Sequence, residues 1–202
     1  MLVLNYNNKI RSVALQHSQR MAETSYRQGT RYFSYKHQSY NNEESGFLGK
    51  IAEILFLQWL RQNSFPVKVS PLDEIAYSDP RSNYDGDFVV VSATGTYKIE
   101  LKTKSCNCEP QNDYDVGTTR ISKADIYVFS RINDNNGTLW IVGFLPTKYF
   151  ADKARLRPKG ELVDNNTNAF NCLANEYVCQ IKDLWPMKHF GRVTSDIFGF
   201  AS

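Results

Sequence analysis

The chain has 202 residues, 42% of them hydrophobic and 13% aromatic, with a formal net charge of +3. That length and composition suit one domain with a real core and exclude a disordered chain, and no apolar run reaches the ~18 residues that span a bilayer. Residues 1–5 lack the basic flank and long apolar stretch of a secretory signal, so the expected location is cytoplasmic.

Residues 8–28 place Ile10, Val13, Ala14, His17, Met21 and Ala22 at helical spacings, which predicts an amphipathic helix. In residues 31–40, basic and aromatic side chains interleave. Residues 1–42 hold six Lys or Arg, among them Arg27, Arg31 and Lys36, against one acid, Glu23, so this segment is +5 and the remainder −2. Cations for phosphates and rings for bases suit a nucleic-acid contact; packing on the domain and a solvated helix face account for the same pattern.

Glu43-Glu44-Ser45 opens a helix over residues 46–62 whose apolar face is wide enough to demand burial. Lys50 and Glu53 share one side of it. A glutamate in so apolar a helix should point at a cation, a metal or an open cleft, unless it sits on the thin exposed stripe. Val67-Lys68-Val69 predicts a short strand, followed by a polar, turn-rich connection.

Asp87 then stands at the head of an apolar run, Phe88 to Val91, and a turn around Gly95 leads to a second strand. In that strand Tyr97, Ile99, Leu101 and Thr103 face one side and Lys98, Glu100, Lys102 and Lys104 the other. Residues 106–119 read as a loop and Ile121 to Ala124 as a helical turn. Residues 125–130 and 138–145 read as buried strands joined by a turn at Asn133 to Gly137, residues 147–153 as a helix, and residues 177–181 as a last strand.

Four cysteines, Cys106, Cys108, Cys172 and Cys179, fall as C-x-C and C-x6-C, spacings that favour free thiols over a zinc or iron–sulfur site. His17, His37 and His189 are scattered, and no glycine-rich phosphate loop is present.

Phosphodiester hydrolysis needs an activated water and a neutralised leaving oxygen, and magnesium held by carboxylates serves both needs. The hairpin sets Asp87 beside Glu100, the Leu101 carbonyl can supply a further oxygen, and Lys102 on the Glu100 face can hold water or offset phosphate charge. Glu53 from the buried helix would complete the acid cluster.

A helix with Gly49-x-x-x-Glu53, then Asp87, then Glu100-x-Lys102 resembles the PD-(D/E)xK nuclease superfamily over residues 46–145, although Gly86 stands where the family motif has proline. The resemblance implies an α/β fold with a restriction-endonuclease-like αβββαβ core, a mixed central sheet flanked by helices. It would occupy residues 46–202, behind a helical, basic and aromatic extension, residues 1–45. It implies a Mg2+-dependent nuclease, with Mn2+ as a substitute, in which Asp87 and Glu100 bind metal, Lys102 is the catalytic lysine and Glu53 an auxiliary acid. Asp85 competes with Asp87 as the first acid; Asp87 is preferred because it abuts the apolar strand.

The expected activity is endonucleolytic cleavage of duplex or branched DNA, of the restriction, phage or recombination type. Arg27, Arg31, Lys36, Lys50 and Lys104 would contact nucleic acid, and a homodimer would supply two sites where both strands are cut. The alternative is a catalytically inactive nucleic-acid-binding or inhibitory protein on the same fold.

Overall fold

Asn7 starts the first helix by accepting hydrogen bonds on Oδ1 from the backbone N–H of Lys9 (3.1 Å) and Ile10 (3.2 Å), the reason an asparagine suits that position. The computed structural model describes residues 1–27, 42–63, 68–71, 87–91, 96–119, 121, 124–164, 169–172 and 174–191. Among the described residues, three α-helices, α1 (Asn8–Arg27), α2 (Asn42–Gln62) and α3 (Thr147–Lys153), accompany eleven strands. None of the described helices is long and apolar enough to cross a membrane.

Six strands form the main sheet: β1 (Leu2–Asn5), β2 (Lys68–Pro71), β3 (Phe88–Val91), β4 (Thr96–Ser105), β6 (Ile126–Asn133) and β7 (Thr138–Pro146), in the order β1-β7-β6-β4-β3-β2. The β4–β6 pair is parallel and every other pair is antiparallel, so the sheet is mixed. A parallel pair needs a crossover, and the one between β4 and β6 differs from expectation. Ile121 and Ala124 are not helical, and residues 122–123 lie outside the described residues. The crossover carries β5 (Asp115–Thr118) instead, part of a three-stranded sheet β5-β11-β8 with β8 (Arg155–Arg157) and β11 (Glu176–Gln180). The Asp-Val-Gly-Thr run is too short to carry a visible period, and Gly117 lets Tyr177 and Val178 of β11 come closer than a Cβ would permit. A two-stranded ribbon, β9 (Leu162–Asp164) with β10 (Ala169–Asn171), completes the set.

The period-2 pattern of β4 divides the molecule. Ile99 and Leu101 join Phe47, Ile51, Leu55 and Phe56 of α2, Val128 of β6 and Phe144 of β7 in a core on one face of the sheet. Tyr127, Phe129, Trp140 and Phe150 build a second core on the other face, against Val116 and Cys179 of the smaller sheet. Phe56, fully buried, meets Phe88 and Phe190 edge-on with ring centroids 5.5 and 6.0 Å away, which ties α2 to β3 and to the C-terminal turn.

The N-terminal residues are built into this architecture. β1 hydrogen-bonds to β7, and Tyr6 donates its backbone N–H to the Gly137 carbonyl at 2.9 Å, in the β6–β7 turn that Gly137 makes with φ 66°. Tyr6 Oη and Arg11 both donate to Asp134 in that turn, at 2.8 Å to Oδ1 and 2.7 Å to Oδ2. At the far end of β7, Gly143 lies so close to the 184–185 segment that a Cβ would stand 2.7 Å from that of Leu184. That closeness lets Phe144 and Trp185 exchange backbone hydrogen bonds of 3.0 and 2.9 Å.

Candidate functional site

Pairing between β3 and β4 stops at Phe88 opposite Ile99, and the chain before it brings Asp87 level with Glu100. The Asp87 N–H donates to the Ile99 carbonyl at 2.8 Å, and Asp87 Oδ2 accepts the Leu101 N–H at 2.7 Å. The carboxylate therefore takes the place a further strand residue would occupy on this edge of β4. Within a strand the N–H and C=O of one residue point to the same side, so the Leu101 carbonyl is directed to the edge that Asp87 occupies.

In β4, Glu100, Lys102 and Lys104 align with Tyr127, Phe129 and Arg131 of β6, so their Cβ atoms share one pleat direction with those residues. Lys102 Nζ is ion-paired with Glu100 Oε1, and on α2 Lys50 Nζ is ion-paired with Glu53 Oε2. Lys50 is buried, so its ammonium serves Glu53 and not the outer surface.

These pairs come together around Asp87. Burial first, then Glu53 and Glu100, push the Asp87 carboxyl up to about 8, against the pull of Lys102 and of the Leu101 N–H. Burial also raises Glu53, with Glu100 adding to it, while Lys50 and Lys102 oppose. The Lys102 ammonium is held above its ordinary range: burial depresses it, and Glu100 and Asp87 more than offset that. Among the described residues, three carboxylates, Glu53, Asp87 and Glu100, thus face two ammonium groups, Lys50 and Lys102. Desolvated carboxylates with one cation too few either keep a proton or take up a positive ion. The donor set for such an ion is all oxygen, the preference of magnesium or manganese. Among the described residues, no group of three or more His, Cys, Asp or Glu side chains is arranged to hold a metal ion as it stands.

Lys104 belongs to a different cluster. Its Nζ lies 3.1 Å from Glu176 Oε2 of β11, and Arg157 Nη1 lies 3.9 Å from the same oxygen. Arg157, almost wholly buried, is also ion-paired with Asp115, and its Nε stands 3.5 Å from Glu161 Oε1 without making a hydrogen bond. Arg131 donates to the Asp115 carbonyl, and Arg155 lies 3.6 Å from Asp115 Oδ2 and 3.0 Å from Glu161. Burial, and then the nearby Arg131, push the Lys104 ammonium below its ordinary range against the pull of Glu176. In the sequence Lys104 stands out on the charged strand face, and Arg155 and Arg157 belong to a basic, proline-containing stretch, residues 155–159. Arg131, a charge inside the apolar strand 126–133, carried a local signal, whereas Asp115, Arg157 and Glu176 converge through the smaller sheet.

Of the other expected site residues, Asp85, Arg31 and Lys36 lie outside the described residues, and Arg27 ends α1 with its side chain undescribed. The four cysteines are free, Cys172 and Cys179 buried. A scan of protein-family models finds no match to this chain, and searches of curated proteins and of solved structures find none either.

Proposed function

We propose that the protein is a Mg2+-dependent nuclease cutting phosphodiester bonds in DNA, an endonuclease on a restriction-endonuclease-like core. The observation that supports this most is the convergence of Glu53, Asp87, Glu100 and Lys102, drawn from a helix and two adjacent strands, into one desolvated group short of one positive charge. Asp87, Glu100 and the Leu101 carbonyl would hold the divalent ion, and Asp85 remains a rival for the first position. When bound, the ion makes a water nucleophilic and neutralises charge on the phosphate.

The chain's own groups do the rest. With a divalent ion held there, Asp87 would be present as the carboxylate and not keep the proton that crowding favours. Lys102, beside Glu100, would be placed to hold the attacking water or a phosphate oxygen. Glu53 takes a proton from the water side or steadies a ligand on that side. Cutting both strands would use a homodimer.

The test is cleavage of plasmid and branched DNA in Mg2+ or Mn2+ by the native chain, Lys102→Ala and Asp87→Asn. Activity in the native chain, lost in both variants and on chelation, is expected; equal cleavage by all three would remove these residues from the site.

The lysines already seated on Glu53 and Glu100 favour a second reading, a nucleic-acid-binding or inhibitory protein without catalysis. Calorimetric Mn2+ titration separates the two, because saturable binding lost in Asp87→Asn belongs only to the nuclease.

A further inference from the structure

The sheet face that carries Glu100 and Lys102 continues to Lys104, two residues along β4, a step of roughly 6.7 Å. That step is comparable to the distance between neighbouring phosphates on one nucleic-acid strand. Lys104 keeps 40% of its side-chain surface exposed, so the side chain lies at the edge of the buried cluster and not wholly inside it.

The groups behind Lys104 are off balance. Among the described residues, four cations, Lys104, Arg131, Arg155 and Arg157, face three carboxylates, Asp115, Glu161 and Glu176. Buried Arg157 Nε makes no hydrogen bond, although Glu161 Oε1 lies 3.5 Å away, so one donor of the cluster is left unsatisfied. Glu176 is shared between Lys104 at 3.1 Å and Arg157 at 3.9 Å. If Lys104 turns to another anion, Arg157 still neutralises Glu176, so the exchange strands no buried charge.

We propose that Lys104, backed by Arg131 and Arg157, is a second phosphate-binding position, taking the phosphate next to the one held at Asp87, Glu100 and Lys102. It rests on the proposal that the substrate is a nucleic acid. The acid cluster, short of one cation, would hold the metal, and the basic cluster, short of one anion, the flanking phosphate. Lys104 is a binding residue and takes no part in bond cleavage.

Fluorescence anisotropy of a labelled duplex oligodeoxynucleotide in Ca2+, across a series of salt concentrations, tests this without requiring cleavage. In Lys104→Ala, binding should weaken about 5- to 10-fold and the slope of log K against log salt should fall by ~0.9, one phosphate's worth. Lys104→Arg should keep the native slope. Glu176→Gln, which removes the competing carboxylate, should bind more tightly than the native chain, an outcome that loss of folding cannot mimic. Native affinity and slope in Lys104→Ala, with no gain in Glu176→Gln, would overturn the second position and leave the nuclease proposal standing. Absence of binding by the native chain to duplex and branched DNA alike would overturn both.

Discussion

Two clusters of buried charge sit side by side along β4, and they have opposite signs. Among the described residues, three carboxylates face two lysines around Asp87, and four cations face three carboxylates around Lys104. They also differ in what holds them. The acid cluster draws on α2, β3 and β4, elements that pack through large apolar side chains, so its charges are passengers on an independent core. The basic cluster ties β4 and β6 to β5, β8 and β11, where the smaller sheet adds Val116 and Cys179 to the second core and the ion pairs run alongside it. The difference teaches that a buried ionic group can be a site, at the expense of stability, or a joint, in its support. Mutation should tell them apart.

The largest expected effect lies in the acid cluster and on activity. Lys102→Ala should lower DNA cleavage by about 100-fold or more, the usual loss when a charge-stabilising group is removed. A large loss of folding with modest loss of activity would reverse the comparison.

Next comes the joint. Arg157→Leu removes the buried partner of Asp115, which keeps Arg155 at 3.6 Å while Glu176 keeps Lys104 at 3.1 Å, and should cost about 1.5–3 kcal/mol, measured by urea unfolding. A cost below ~1 kcal/mol would mean the arginine is dispensable to the packing of the smaller sheet.

The third prediction has the opposite sign. Asp87 has a folded value of about 8, above its unfolded value, so its contribution to stability is full below pH ~4 and is lost as pH rises through 8. In chelator, Asp87→Asn should therefore be more stable than the native chain at pH 8, by about 2 kcal/mol, with the gap closing towards pH 4. Urea midpoints at both pH values check this; equal midpoints at pH 8 would mean Asp87 is not crowded by Glu53 and Glu100.

The smallest effect lies away from both clusters. Asp134 accepts from Tyr6 and Arg11, and its carboxyl lies below its ordinary range because those hydrogen bonds outweigh burial. That contribution is present above the unfolded value and is lost as pH falls through the folded one. Asp134→Ala should cost about 1 kcal/mol at pH 7 and nothing at low pH, by the same urea measurement.

How much of this was legible beforehand depends on whether the signal is local. The alternation of Tyr97, Ile99, Leu101 and Thr103 against Lys98, Glu100, Lys102 and Lys104 specified both the strand and its two faces, because period 2 is imposed by the backbone. The apolar width of α2 announced its burial, and Asp87 at the head of an apolar run sufficed to nominate the acid cluster. The crossover read as a loop and a helical turn because Asp115 to Thr118 is a four-residue strand that exists only by pairing with β11, sixty residues away. Likewise β1 gains its identity from β7.

By itself, then, the sequence determined the helices, the central hairpin and the chemical types at Glu53, Asp87, Glu100 and Lys102, since these follow from periodicities and neighbours a few residues apart. Only the tertiary structure decided that Lys50 serves Glu53, that Glu53 and Glu100 crowd Asp87, and that Lys104 belongs with Arg131, Arg157 and Glu176. Those relations depend on distance and desolvation, which arise when strands far apart in the chain are laid side by side.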